Sequence, residues 1–337
     1  MSRRVGITSN TVPWEILRAA GYSPRLLEFE PGPTPHADRF MEDVFDRRIR
    51  VIFDRLCAGA WAHLDLVVIP RTSEQEHKLY LYLREASRAH FSDAIPKLYF
   101  YDLLHTRTSE SYRYGLERTR HMVRDFEVSG EALRDAIVES NQARRAVRTI
   151  LEKRSEGLLN GATAFELLRG FYTEDRAAFA DRVPAQLEAS CATVPTGRPR
   201  ILIMGAPLDC ADLHRVLEQA GGYVAAEDDW RGSRAAGDCD VSLETDPATA
   251  IFEKYFHDEV SPRIQSSSER GAWFQRAIAS GQVDGVLFYI PFEDDVAGWD
   301  YPRQADWLEK KHVPNLVIRD TNAAAAVGTF IDGLSRN

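Results

Sequence analysis

The strongest constraint on this chain is an order of strands and helices that occurs twice. In the first half, Val5–Ser9 reads as a strand. It is followed by a helix over Val12–Ala20, opened by Pro13 and closed by Gly21. Strands are then predicted over Arg25–Glu30, HLDLVVIP (63–70) and KLYFY (97–101), with a long helix over Glu74–Arg88 between the last two. After Pro199 the order returns: RILIMG (200–205), a helix over Asp209–Ala220, a strand over Tyr223–Glu227, VDGVLFYI (283–290), a helix over Pro302–Lys311 and PNLVIR (314–319). The match extends to residues. RAAGYSPRLLEFE (18–30) parallels LEQAGGYVAAEDD (217–229), and LDLVVIP (64–70) parallels VDGVLFYIP (283–291). Strands alternating with helices imply parallel sheets, and internal similarity fixes architecture. The predicted class is α/β: two Rossmann-like domains from an internal duplication, over 1–125 and 198–337, each with about four strands. Residues 126–197 show helical spacing (Leu133, Ile137, Val147, Ile150, Leu151) and are expected to join the domains, with Ser129 as an N-cap.

Composition narrows the function classes. Hydrophobic residues are 44% of 337, enough for two cores. No run approaches the ~20 apolar residues of a membrane span, and MSRRVGITSN lacks the apolar stretch of a signal peptide. The net charge of −9 argues against a nucleic-acid protein. The basic run Asp46–Arg50 reads as a solvated helix face. Cys57, Cys191, Cys210 and Cys239 form no C-x-x-C pair and are expected to be free thiols of a cytoplasmic protein.

In open parallel sheets, ligands bind at the carboxyl ends of strands. That rule selects Thr8-Ser9-Asn10, Arg71-Thr72-Ser73, Gly205-Ala206-Pro207, Glu227-Asp228-Asp229 and Phe292 to Asp295. Ser9 and Asn10 precede a helix, where they either hold an anion or a thioester carbonyl or cap the helix. There is no G-x-G-x-x-G and no Walker motif, so dinucleotides and ATP have no support. Arg231 and Arg234 are candidate phosphate contacts; the competing reading pairs them with Glu227, Asp228 and Asp229. Glu293, Asp294 and Asp295 form either a hard-cation site or a solvated loop. Cys210 reads as a helix-start residue or a reactive thiol.

Several of these segments carry a family resemblance. VGITSNTVPWEILRAAGYSPRLL, HLDLVVIPRTSEQEHKLYLYLRE, GAPLD followed by AGGYVAAEDDWRGSR, and VDGVLFYIPFEDDVAGWDYPRQADWLEKKHVPNLVI resemble, in order, segments of the 2-hydroxyacyl-CoA dehydratase and benzoyl-CoA reductase family, in its cluster-carrying subunits. The resemblance implies a soluble α/β subunit that pairs with a related subunit. It also implies a four-iron four-sulfur cluster on three cysteines, which takes an electron from an ATP-driven activator. The cluster passes that electron to an acyl-CoA thioester as a ketyl radical, after which water is eliminated or an aromatic ring is reduced. Ser9 carries over as the residue nearest the substrate's thioester or hydroxyl. The positions at which the resemblance places cysteines hold Ser73, Glu293 and the neighbourhood of Asp46. Cluster iron needs soft thiolates.

Three readings follow. The chain is a cluster-free subunit, without a cofactor of its own, that helps form an acyl-CoA cleft beside a cluster-bearing partner in a heterodimer, or beside a second copy of itself. Alternatively it is a repurposed non-redox enzyme, with Glu293 as base or ligand, Ser73 as hydrogen-bond donor, and Asp46 in the former cluster pocket. The third reading is a true dehydratase that holds its cluster through Cys57, Cys210 and Cys239. In the first reading Arg231 and Arg234 contact CoA phosphates. No nucleic acid and no membrane is expected as partner.

Overall fold

Asp65 and Asp284, matched in the repeated segments, perform one task in the two halves. In the computed structural model, which describes residues 3–28, 30, 32–258, 260–279 and 283–335, Arg4 N–H donates to Asp65 Oδ2 at 2.7 Å and Asp65 N–H donates back to the Arg4 carbonyl at 2.9 Å. Arg200 and Asp284 repeat the exchange at 2.7 Å each way. Each aspartate thereby pins the start of the first strand of its half against the third and sets their register.

The first half runs β1 (Arg3–Ile7), α1 (Trp14–Ala19), β2 (Tyr22–Leu26), α2 (Pro35–Phe40), α3 (Arg47–Cys57), β3 (Leu66–Pro70), α4 (Glu74–Arg88), β4 (Leu98–Tyr101) and α5 (Ser109–Asp125). Three helices follow: α6 (Gly130–Ser155), α7 (Gly161–Thr173) and α8 (Arg176–Ser190). The second half runs β5 (Arg200–Gly205), α9 (Asp212–Gln219), β6 (Tyr223–Glu227), α10 (Pro247–His257), α11 (Ser267–Ala279), β7 (Gly285–Tyr289), α12 (Asp295–Lys310), β8 (Asn315–Ile318) and α13 (Ala324–Leu334). Two four-stranded sheets result, ordered β2-β1-β3-β4 and β6-β5-β7-β8, parallel throughout. The predicted α/β class with two Rossmann-like sheets is what forms, and both sheets share one strand order.

Most boundaries shift by a few residues, and two of the shifts have a clear local cause. The second strand is Tyr22–Leu26 rather than Arg25–Glu30, and Phe29 of that range lies outside the described residues. It starts directly after Gly21, whose φ of +79° turns the chain out of α1. Pro24 is tolerated because β2 is an edge strand. The helix expected from Pro302 begins at Asp295: Asp294 caps it, accepting from Ala297 N–H at 3.0 Å, and Pro302 falls inside. The helix expected from Asp209 begins at Asp212. Ser129 does cap α6, accepting from Ala132 N–H at 3.2 Å.

The chain divides into two compact units. One holds the first sheet with α1–α5, α6 up to Asn141, Tyr172–Asp175 and Cys239–Asp258. In its core, Val67 and Ile69 of β3 pack on Ile52 and Leu56 of α3 and Leu79 and Leu83 of α4. All five residues of β3 are buried, so its run is continuously apolar. Glu15 of α1, fully buried, accepts from Ser140 Oγ at 2.7 Å and Tyr255 Oη at 3.0 Å, which ties α1 to α6 and α10.

The other unit holds Gln142–Phe171, Arg176–Asp238 and the chain after Asp258. Its sheet is covered on both faces with period two. Ile201, Ile203 and Leu287 face α7, α9 and α13, while Leu202, Met204, Val286 and Phe288 face α11 and α12. Among the described residues no helix is long and apolar enough to cross a membrane. The four cysteines are free.

Gly205 ends β5 with φ +112°, and a Cβ there would collide with the Tyr289 carbonyl oxygen. Gly21 has open space around it. Gly21→Ala is therefore expected to cost about 1 kcal/mol, from the left-handed backbone alone. Gly205→Ala should cost roughly 3 kcal/mol or more. Thermal unfolding of the two variants should show a small and a large fall in Tm respectively; equal falls would refute the assignment.

Candidate functional site

At the carboxyl ends of β1 and β3, a set of hydroxyls closes on one carboxylate. Thr8, Ser9, Thr11 and Thr72 are all buried, and so is Glu76 on the first turn of α4. Thr8 Oγ1 donates to Glu76 Oε1 at 2.7 Å. Ser9 Oγ and Thr72 Oγ1 are 2.7 Å apart, and Thr11 Oγ1 also bonds Thr72 Oγ1. Burial pushes the Glu76 carboxyl up; hydrogen bonds from Thr8, Thr72 and Ser9 and the charge of Arg48 offset part of that rise. Arg48 reaches the same edge, donating to the Thr8 carbonyl at 3.1 Å and the Leu27 carbonyl at 3.4 Å. The Asp46–Arg50 run is thus only partly a solvated face. Arg48 binds strand ends, and Arg50 holds Asp38 and the Glu42 carbonyl.

Of the three positions where cysteines were expected, two lie in this unit. Asp46 caps α3, accepting from Arg48 N–H at 2.7 Å, and Ser73 caps α4, accepting from Glu76 N–H at 3.2 Å. Gln75 Oε1 on α4 accepts from Asp46 N–H at 2.6 Å, which ties the start of α3 to the first turn of α4. Glu293 belongs to the other unit and is half-buried. Its neighbour Asp294 makes a bidentate pair with Arg263 while capping α12. The acidic run is therefore tied into α12 through Asp294. Among the described residues no three His, Cys, Asp or Glu side chains are grouped to hold a metal.

Along the same edge, past β3 and β4, Arg71 lies 2.8 Å from Glu74 and 3.6 Å from Asp102, which accepts from Tyr114 Oη at 2.6 Å. His105 Nε2 lies 2.9 Å from the Arg71 carbonyl, so that nitrogen carries the proton. Burial pushes the His105 imidazole down to about 4 and keeps it neutral.

Arg231 and Arg234 face inward. Arg234 pairs with Asp228 and donates to Gln265 Oε1 at 2.6 Å. Arg231 donates to the Leu208 and Asp209 carbonyls at 3.3 and 3.1 Å. Arg231 is 5% and Arg234 2% exposed, and both guanidinium groups donate inside the fold, so neither is placed as a surface phosphate contact. For Arg234 the acid-pairing alternative is the observed geometry, because a buried guanidinium must be matched inside the fold. Beside them, Glu227 has no exposed surface; it pairs with Arg154 and lies 2.9 Å from His214. Ser233 Oγ accepts from both Glu227 N–H, at 3.1 Å, and Arg154, at 2.9 Å. Cys210 shows no sign of activation: burial pushes its thiol up.

Glu76, His105, Arg154 and His214 escaped the sequence reading. One signal was available for Glu76. Ser73-x-x-Glu76 has the form of a capping box, yet Glu76 turns away from Ser73 N–H to hold Thr8. No local signal marks the others.

Glu227 and Asp229 respond to pH in opposite senses. Burial raises the Glu227 carboxyl, but His214 and Arg154 outweigh it and hold the group below the usual range. Burial, then the charge of Glu227, pushes Asp229 up to about 7, against hydrogen bonds from Gly232 and Arg231 N–H. Between the unfolded Asp value of about 3.9 and that folded value, the folded chain keeps a proton that the unfolded chain has lost. Asp229 therefore lowers stability as pH rises through this window. Asp229→Asn should remove that fall, gaining on the parent at pH 8 relative to pH 4 in urea titrations. Glu227 acts the other way, its support being lost as pH falls below the ordinary Glu range. Glu227→Gln should destabilise by about 3–5 kcal/mol, because it strands Arg154. A neutral effect would show that the pair carries no load.

Comparison with known proteins points to one family. The family model for the 2-hydroxyglutaryl-CoA dehydratase D-component matches residues 10–325. YjiM of Escherichia coli (strain K12), a dehydratase subunit by its assigned name, is 28% identical over 246 residues, covering 67% of this chain and 61% of that protein. The (R)-phenyllactyl-CoA dehydratase beta subunit of Clostridium sporogenes is 20% identical over 212 residues, covering 61% of this chain and 56% of that protein. The match therefore spans less than two thirds of either relative's length. The match to the family model, running from the strand-end residue Asn10 to the start of α13, establishes that this chain belongs to the 2-hydroxyglutaryl-CoA dehydratase D-component family.

Proposed function

We propose that this chain is a cluster-free dehydratase-family subunit, forming part of an acyl-CoA cleft beside a related, cluster-bearing subunit. The observation that carries the reading is the chemistry at the expected thiolate positions. Asp46 and Ser73 offer oxygen, and both oxygens already accept helix N–H groups; Glu293 offers a carboxylate. Such a donor set does not fit an iron–sulfur cluster, which is held by soft thiolates. Cys57, the cysteine next nearest Asp46 in sequence, ends α3 with a thiol that burial, then Asp54, pushes up to about 12. A thiol so hard to ionise is a poor ligand. Cluster chemistry therefore falls to the partner.

What this chain retains is the strand-end architecture. Ser9, assigned by the family resemblance to the acyl thioester or its hydroxyl, has its hydroxyl oriented by Thr72. A related partner is supported by the names of the matched proteins, a D-component and dehydratase subunits. A non-redox enzyme built on Asp46, Ser73 and Glu293 is less well supported, since capping already occupies the first two side chains. A cytoplasmic location goes with four free cysteines.

Anaerobic reconstitution should leave iron and acid-labile sulfide near zero per chain. About four of each would return the chain to the cluster-bearing class and overturn the reading. Calorimetric titration with a 2-hydroxyacyl-CoA should show binding that Ser9→Ala weakens by roughly three- to tenfold, with free CoA much less affected. Equal losses for both ligands would remove Ser9 from the acyl end.

A further inference from the structure

We propose that the cleft between the start of α5 and the end of α10 binds the 3′-phosphorylated adenosine end of an acyl-CoA. The choice of CoA as carrier of that group rests on the function proposed above.

The cleft encloses about 540 Å³, within the usual range of small-molecule sites, and its walls lie in one unit. Two kinds of recognition chemistry converge there. Arg107 and Arg113 supply exposed cations, and Thr108 caps the 17-residue helix α5, whose first-turn N–H groups favour an anion. His257, exposed, and Tyr112, half-buried, supply ring surface, backed by the buried Phe256. Tyr112 lies 5.7 Å from Phe256 edge-on and 5.9 Å from His257, and the Arg107 guanidinium sits 5.0 Å over Phe256. A phosphate with an attached aromatic base uses both kinds; an inorganic anion would use only the first.

The acidic groups at the cleft are already engaged. Glu110 accepts from Ser109 Oγ at 2.8 Å and lies 3.5 Å from Arg113, and Glu253 accepts from Tyr112 Oη at 2.9 Å. Burial, then Arg107, pushes the His257 imidazole down, against the pull of Glu253, which favours a neutral ring able to stack. The position is also suitable. α5 follows β4 at the same carboxyl edge that carries Ser9, and β4 is two strand spacings, roughly 10 Å, from β1. One ligand can therefore lay its acyl end at β1 and its nucleotide beyond β4.

The test is calorimetric titration of the full chain with adenosine 3′,5′-bisphosphate, adenosine and inorganic phosphate. The same titrations are run on Arg107→Ala/Arg113→Ala and Arg107→Lys/Arg113→Lys variants. Both side chains are exposed, so the fold should persist, and an unchanged Tm checks this. The bisphosphate should bind more tightly than adenosine or phosphate. Its affinity should fall about tenfold in the alanine double variant, recover in part with lysine, and weaken with added salt. No bisphosphate binding, or equal affinity in parent and alanine variant, overturns the inference. If the bisphosphate behaves as expected but acyl-CoA binds no better than it does, the cleft stands and the acyl-CoA reading falls. If acyl-CoA binds and the arginine variants are indifferent, the cleft falls and the function survives.

Discussion

A carboxylate with no exposed surface holds the second sheet's carboxyl edge together. Glu227 ends β6, and burying its charge would be prohibitive without matching cations. Arg154 from α6 provides one, His214 of α9 lies 2.9 Å from the other carboxylate oxygen, and Ser233 closes the loop back onto the Glu227 backbone. The segment from Asp228 to Arg234 folds back beside that anchor. Asp228 takes Arg234, and Asp229 caps the turn through Arg231 N–H and Gly232 N–H. Gly232 is required because a Cβ there would press on the Glu227 Cβ. A segment that reads as a surface of charges is an internal brace.

The first sheet solves the same problem with hydroxyls. Glu76 is buried at the ends of β1 and β3, but Thr8 is its direct donor and Arg48 acts on it only at longer range. Hydroxyls are weaker partners than cations, so this carboxyl sits high while Glu227 sits low. The two halves share strand order and the Asp65 and Asp284 pins, yet they differ in electrostatics at the carboxyl edge of the sheet. The duplicated scaffold is conserved in geometry and divided in chemistry. That division is consistent with unequal roles for the two edges.

Legibility followed the range of the interactions. The bounds of α4, β5 and β6 could be read residue for residue, because their signals are local: periodic apolar positions, a capping serine, glycines at the helix end. α12 begins at Asp295 rather than at the expected Pro302, because the Asp294 cap and its pairing with Arg263 start the helix earlier. At the site, the strand-end rule found Ser9, Thr72 and Ser73. It did not find Glu76, whose partner is 68 residues away, or Arg154, 73 residues from Glu227.

By itself, then, the sequence determined the alternation of strands and helices, the duplication, and the oxygen-bearing residues at positions where the family resemblance implies thiolates. These depend on residue identity and short-range periodicity. Only the tertiary structure decided the strand order, the inward direction of Arg231 and Arg234, and the arginine and aromatic cleft at α5 and α10. Each of those depends on how elements distant in the chain pack together, as Arg234 does in reaching Gln265 and Arg231 in reaching the Leu208 carbonyl, and that is a property of packing.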